Sequence, residues 1–172
     1  MKNKHIYIFR HGETRVSKYG GVYLKRFSAE LLPQAREPLE RMGHYIKSLP
    51  QGKHFVSPMV RCIQTVAIVT KNTKREFIID TRLQEYGVEL PWTFIKRVHE
   101  FVREMNDLPD TNIYICTHGI VISTILHILI FKRINILQLL IGAISPVKPA
   151  VLIMIHNKNI NYISFRKNVL KV

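Results

Sequence analysis

The sequence predicts an α/β protein, a three-layer α/β/α sandwich around a mostly parallel central sheet. Three observations point there. Strand-like and helix-like stretches alternate along the chain, as they do when helices cover a parallel sheet. Asn112 to Cys116 is almost continuously apolar, which suits a strand buried on both faces. Gly119 to Leu129 is apolar nearly all round, which puts a helix inside the core rather than on its surface.

Each element has its own reason. His5 to Phe9 reads as the first strand. Leu39, Met42, Ile46 and Leu49 recur at helical spacing, and Pro38 suits a first helical turn. Lys53 to Ser57 is a short second strand stopped at Pro58, and a helix from about Met59 to Thr70 is expected to bury Ile63, Val66 and Ala67. Phe77 to Ile79 gives a third strand. Trp92 to Met105 is amphipathic, with Ile95, Val98, Phe101 and Val102 on one side. After the apolar strand and helix, Ile134 to Leu140 suggests another helix. Ala150 to Ile155 and Ile160 to Phe165, joined by Asn157-Lys158-Asn159, read as a terminal hairpin.

The 172 residues suit one domain, residues 1–172, since no repeat, low-complexity tract or linker divides them. An excess of 26 Lys+Arg over 12 Asp+Glu, a formal +14, draws anionic ligands but says nothing about fold. The basic residues are scattered in small clusters (Lys25-Arg26, Lys71 to Arg75, Lys132-Arg133, Arg166-Lys167), which favours a solvated surface over a nucleic-acid-binding arm. Cys62 and Cys116 sit far apart in apolar contexts and read as reduced core cysteines. No His and Cys combination has zinc spacing, so no metal is expected. The five-residue apolar run before Arg10 is too short for a signal peptide, and the two halves of Gly119 to Ile144 are too short to span a bilayer. A cytoplasmic protein is expected; the oligomeric state stays open.

Chemistry concentrates where strands end. Arg10-His11-Gly12-Glu13-Thr14 follows the first strand without a spacer. Arg10 can fork onto phosphate or carboxylate oxygens, and His11 can act as nucleophile or base near neutral pH. Gly12 is expected to let the backbone turn sharply and approach a ligand. Arg61 falls in the first turn of the helix after Ser57-Pro58, and His118 at the end of the apolar strand. In one parallel sheet these strand ends share an edge, so Arg10, His11, Arg61 and His118 can converge on one crevice. Helix N-termini there add a positive dipole end. Two arginines, two histidines and helix starts suit a phosphoryl dianion. A dinucleotide would need a Gly-rich turn instead.

Arg10-His11-Gly12-Glu13-Thr14, Ser57-Pro58-x-x-Arg61-x-x-Gln64-Thr65, Leu83-x-Glu85 and Thr117-His118-Gly119 together resemble the ordered motifs of the histidine phosphatase superfamily, the phosphoglycerate mutase-like group. The resemblance implies that group's fold and a metal-independent phosphoryl transfer without cofactor. By position it implies His11 as the nucleophile that becomes phosphohistidine. Arg10, Arg61 and His118 match the phosphate pocket, and Glu85 matches the proton donor to the leaving oxygen. Glu89, four residues on, and Glu13, inside the first motif, are the alternatives for the last role. Two arginines beside His11 should keep it neutral, and a dianion beside Glu85 should favour its protonated form. The chain departs from the pattern at Ser17, where the family often has Asn, and at Val88-Glu89-Leu90-Pro91-Trp92, where Trp-Glu-Gly is usual. Thr14, Ser17, Ser57 and Thr117 are candidate substrate donors, with ordinary turn and capping roles competing at all four. The remaining histidines have no motif context: His127 reads as a satisfied core residue, and His5, His44, His54, His99 and His156 as surface or strand-end residues.

The first functional expectation is therefore a phosphomonoesterase acting on a phosphorylated small molecule. A protein phosphatase, in particular one for phosphohistidine, is the alternative, because residues 80–112 leave little room for a cap. A catalytically weak polyanion-binding protein is the third.

Overall fold

The computed structural model describes residues 4–19, 28–71, 73–131 and 147–166. Its strands are β1 (His5–Arg10), β2 (Lys53–Val56), β3 (Ile78–Ile79), β4 (Asn112–Thr117), β5 (Val151–His156) and β6 (Asn159–Ser164). They form one six-stranded sheet in the order β3-β2-β4-β1-β5-β6. The first four run parallel; β5 and β6 run antiparallel to their neighbours. The helices are α1 (Arg15–Tyr19), α2 (Arg36–Ser48), α3 (Val60–Val69), α4 (Pro91–Asp107) and α5 (Gly119–Phe131), with 3-10 turns at Pro33–Ala35 and Thr81–Leu83.

Strand alternation builds two cores. Ile6, Ile8, Ile113 and Ile115 face α4 and α5, where they meet Phe94, Val98, Phe101 and Val121. Tyr7, Phe9, Tyr114 and Cys116 face α2 and α3, where they meet Leu39, Met42, Ile46 and Val66. Successive side chains point to opposite faces, so a strand covered on both must be apolar throughout. That is the α/β/α sandwich. No residue of Gly119 to Ile130 is exposed, as its all-round apolarity requires. Among the described residues no helix is long and apolar enough to cross a membrane. The helix expected at Ile134 to Leu140 lies outside the described residues.

Several expectations are corrected. α3 buries Arg61, Cys62, Thr65, Val66 and Val69, and leaves Ile63 and Ala67 exposed. Its face is set by docking Arg61 and Cys62 at the strand ends, which outweighs the apolar count. In α4 the buried stripe runs Phe94, Val98, Phe101, Val102 and Met105, with Ile95 only half-buried. The hairpin turn is tighter than expected, because Asn159 pairs with His156. Asn157 and Lys158 both take positive φ, 49° and 67°, the backbone a two-residue turn of this hand demands.

His54, read as a surface or strand-end residue, sits near the start of β2 and is buried. It stacks on Tyr114 with ring centroids 4.7 Å apart, and its Nε2 accepts from Arg75 Nη1 at 3.0 Å. Arg75, assigned by its cluster to a solvated surface, is only 5% exposed. Its Nη2 donates to the carbonyls of Ile46 (3.0 Å), Leu49 (2.5 Å) and Pro50 (3.1 Å). A guanidinium at the C-terminal end of α2 thus gathers carbonyls of the helix's last turn and of the two residues that follow it. Burial first, then Arg75, lowers the His54 pKa to about 4. The unfolded chain protonates this imidazole near pH 6.5, so the stability it contributes is complete above that pH and falls away toward pH 4. Melting temperature should therefore drop as pH falls from 6.5 to 4, and His54→Gln should flatten that drop. An equally steep profile in the variant would disprove the assignment.

Candidate active site

The site is built where β1, β2 and β4 end. The backbone N–H of His11 donates to Thr117 O at 3.0 Å and that of Ser57 to Cys116 O at 3.0 Å, so the pairing of the sheet continues into the motif residues. Gly12 N donates to Thr65 Oγ1 at 2.9 Å, and Thr65 Oγ1 donates to Arg61 O at 2.6 Å. This short relay locks the end of β1 to the first turn of α3, and so His11 to Arg61. Gly12 is needed for space rather than for turning: a Cβ there would lie 2.8 Å from Leu39 Cδ1 and 3.2 Å from both Ala35 Cβ and Leu31 Cδ2, and its φ is not left-handed.

A cavity of about 190 Å³ opens over these strand ends, lined by Arg10, His11, Thr14, Val16, Ser17, Arg61, Glu85, Tyr86, Gly119 and Ile120. The α5 N-terminus therefore reaches it, bringing a positive dipole end. His11 is 2% exposed and shares a 2.8 Å hydrogen bond between its Nδ1 and Gly12 O. A carbonyl oxygen can only accept, so Nδ1 carries the proton and Nε2 keeps its lone pair. Burial, then Arg10 and Arg61, hold the His11 pKa well below the usual imidazole range. The arginines act as the sequence suggested, but desolvation is the larger cause.

Arg10 donates from Nη1 to Val147 O at 2.7 Å, while its buried Nε has no hydrogen-bond partner among the described residues. Arg61 is 5% exposed, with Nη2 3.9 Å from Glu85 Oε2. His118 does not line the cavity. It lies fully buried behind it, its ring 5.2 Å from that of His11, and its Nδ1 is 3.7 Å from Glu85 Oε2. Its Nε2 and Ser57 Oγ share a 2.8 Å hydrogen bond. Burial, then His11 and Arg61, push the His118 pKa well below its usual value.

Ser57 thus holds His118 rather than facing the cavity, and Thr117 Oγ1 donates to Leu83 O at 2.7 Å. Thr14 and Ser17 line the cavity but cap α1 reciprocally: Thr14 N donates to Ser17 Oγ at 2.7 Å and Ser17 N to Thr14 Oγ1 at 3.1 Å. Of the three carboxylates, only Glu85 reaches the cavity. Glu89 is gripped by Arg97, and Glu13 accepts from Gln34 Nε2 at 3.2 Å beside a different cavity. Cys62 and Cys116 are buried free thiols, as expected, but Cys62 Sγ also lies 3.6 Å from His118 Nε2. Sequence reasoning missed the Thr65 relay, the Tyr86, Val16 and Ile120 walls, and Arg97. Only Thr65 carried a signal, standing one helical turn after Arg61.

His11, Glu85 and His118 each offer a ligand atom, all within 4.8 Å of one another. Burial, reinforced by the guanidinium groups, keeps the histidines unprotonated, and those same positive charges oppose a cation, so the arrangement favours an anion.

The model of the histidine phosphatase superfamily (branch 1) matches residues 6–93, just over half of the chain. The chain belongs to that superfamily. No curated protein matches it by sequence. Solved structures of this superfamily's fold match over nearly the whole length. An alpha-ribazole phosphatase from Shigella flexneri superposes with a TM-score of 0.73 at 15% identity, covering 98% of each chain. A mycobacterial glucosyl-3-phosphoglycerate phosphatase solved with VO3 gives 0.71 at 16% identity, covering 92% of this chain and 96% of its own. The protein histidine phosphatase SixA, solved with tungstate, gives 0.66 at 12% identity, covering 92% and 93%. The fold of this histidine phosphatase relative is therefore the phosphoglycerate mutase-like one.

Proposed function

We propose that the protein is a phosphomonoesterase that hydrolyses a phosphorylated small molecule through phosphohistidine at His11. The observation that carries this is the Nδ1–Gly12 O bond, which leaves the His11 Nε2 lone pair beside two guanidinium groups. Nε2 attacks phosphorus as the ester P–O bond breaks. The leaving oxygen takes the proton of Glu85. Water then attacks the phosphohistidine, the N–P bond breaks, and Glu85 receives the water's proton. Arg10 and Arg61 hold the phosphoryl oxygens, and His118 supports the pocket floor. Phosphoryl transfer rewards this sort of positioning and charge stabilisation. Glu85 Oε2 lies 3.9 Å from Arg61 Nη2; an entering dianion competes for that guanidinium and favours the protonated carboxyl. Thr14 and Ser17 shape the mouth for the leaving group.

The chain treated with EDTA should hydrolyse p-nitrophenyl phosphate at an undiminished rate, with no metal added. Absence of turnover, or turnover restored only by a divalent ion, would overturn the reading. A protein substrate is the second reading. It is favoured by the stretch between β3 and β4, which is spent on one 3-10 turn and α4 and leaves only residues 84–90 at the cavity mouth. Faster release of phosphate from a phosphohistidine protein than from any metabolite ester would select it.

A further inference from the structure

Arg97 lies on α4 and does not line the cavity, yet its guanidinium organises the loop that carries Glu85. The group sits over the ring of Phe94, 4.7 Å from the centroid, and Phe94 is fully buried. Its Nη1 donates to Arg82 O. Its Nε donates to Glu89 Oε2 at 3.0 Å, and Nη2 to Glu89 Oε1. Nη2 also lies 3.5 Å from Glu85 O. One planar fork therefore ties the residue three before Glu85, Glu85 itself and the residue four after it to a rigid helix. Both ionic partners are largely withdrawn from water, with side chains 17% and 23% exposed. That separates this pair from exposed ion pairs, which contribute little.

We propose that Arg97 is the positioning residue for the proton donor Glu85. This inference rests on the reading of Glu85 above. A general acid works only within hydrogen-bond reach of the leaving oxygen, and residues 84–90 contain no helix or strand to hold it there. The loop borrows its rigidity from α4 through this guanidinium. Lysine cannot replace it, because a point charge on a flexible stem cannot serve two carbonyls and a carboxylate together.

Proton donation matters more as the leaving group becomes more basic. The test measures kcat/KM, which reports transfer to His11, for aryl phosphates from p-nitrophenyl to phenyl phosphate. Glu85→Gln should lose roughly a hundredfold on phenyl phosphate and much less on p-nitrophenyl phosphate, within the usual range for general acid catalysis. Arg97→Met and Arg97→Lys should show the same tilt, roughly tenfold more loss on phenyl than on p-nitrophenyl phosphate. Adding Arg97→Met to Glu85→Gln should cost phenyl phosphate turnover nothing further, since coupled residues are not additive. A role in mere folding lowers all esters equally. Equal losses in both Arg97 variants, or additive losses in the double variant, overturn the inference and leave the role of Glu85 standing. A Glu85→Gln variant without the tilt removes the proton-donor reading first, and this inference with it. Arg97→Lys supplies the answer where Arg97→Met does not fold.

Discussion

His11→Asn should abolish phosphoryl transfer while leaving the protein folded. Loss of a covalent nucleophile costs on the order of 10⁴-fold or more in turnover, about 5.5 kcal/mol of transition-state stabilisation. Asparagine can still donate to Gly12 O, so the bond that aims His11 is kept and only the attacking lone pair is lost. The fold should not suffer, because His11 is a desolvated imidazole beside two guanidinium groups that disfavour its charge. Melting temperature at pH 7.5 should stay within a few degrees of the parent, and acid-quenched wild-type protein should carry phosphate that the variant lacks. A variant with more than about one part in a hundred of the parent rate would exclude His11 as nucleophile. The wild-type pH profile carries a second signature. Attack requires neutral His11, whose pKa is held below the usual value near 6.5, so kcat/KM should not fall on acidification to that pH through protonation of this residue. The acid limb due to His11 belongs lower.

Arg75→Met should bring the largest loss of stability with little change in catalysis. Methionine keeps much of the volume over Tyr114, where the guanidinium stands 4.6 Å from the ring centroid. It offers no donor to the carbonyls of Ile46, Leu49 and Pro50. Two of these keep another partner: Ile46 O accepts from Leu49 N, and Pro50 O from Tyr114 Oη. Leu49 O and the Nε2 of His54 lose theirs. Each buried polar group left unsatisfied costs about 1–3 kcal/mol, so a loss of roughly 3 kcal/mol is expected. For a chain of this size that lowers the melting temperature by about 6–12 °C. Because Arg75 shares no residue with the active-site cavity, kcat/KM at 25 °C should stay within about twofold. An unchanged or higher melting temperature would mean that removing a buried charge outweighs the stranded carbonyls.

What could be read in advance follows a physical boundary. β4 and α5 were legible because being buried on two sides leaves no polar position to obscure the pattern. Arg10, His11 and Arg61 were legible as cavity residues because strand ends of one parallel sheet share an edge. Glu85 came only through the motif it resembles, and geometry then separated it from Glu89 and Glu13. The burial of His54 and Arg75 is invisible in the sequence for one reason. Polarity suggests exposure unless the partners are known, and those partners are backbone carbonyls and an aromatic ring that no pattern of side chains announces. Ser57 offers a hydroxyl to substrate on sequence alone, whereas its side chain is engaged by His118, sixty-one residues away.

The sequence by itself determined the layers, the superfamily motifs and which residue types meet at the strand ends, because these depend on periodicity and on short contiguous stretches. The tertiary structure decided the rest. It set which nitrogen of His11 holds the proton, drew His118 behind the cavity and gave Glu89 to Arg97. Those outcomes depend on distances of a few ångströms that no periodicity carries, whether between neighbours such as His11 and Gly12 or between residues far apart such as Ser57 and His118. Only the assembled sheet and its docked helices set such groups at hydrogen-bond distance in the right orientation.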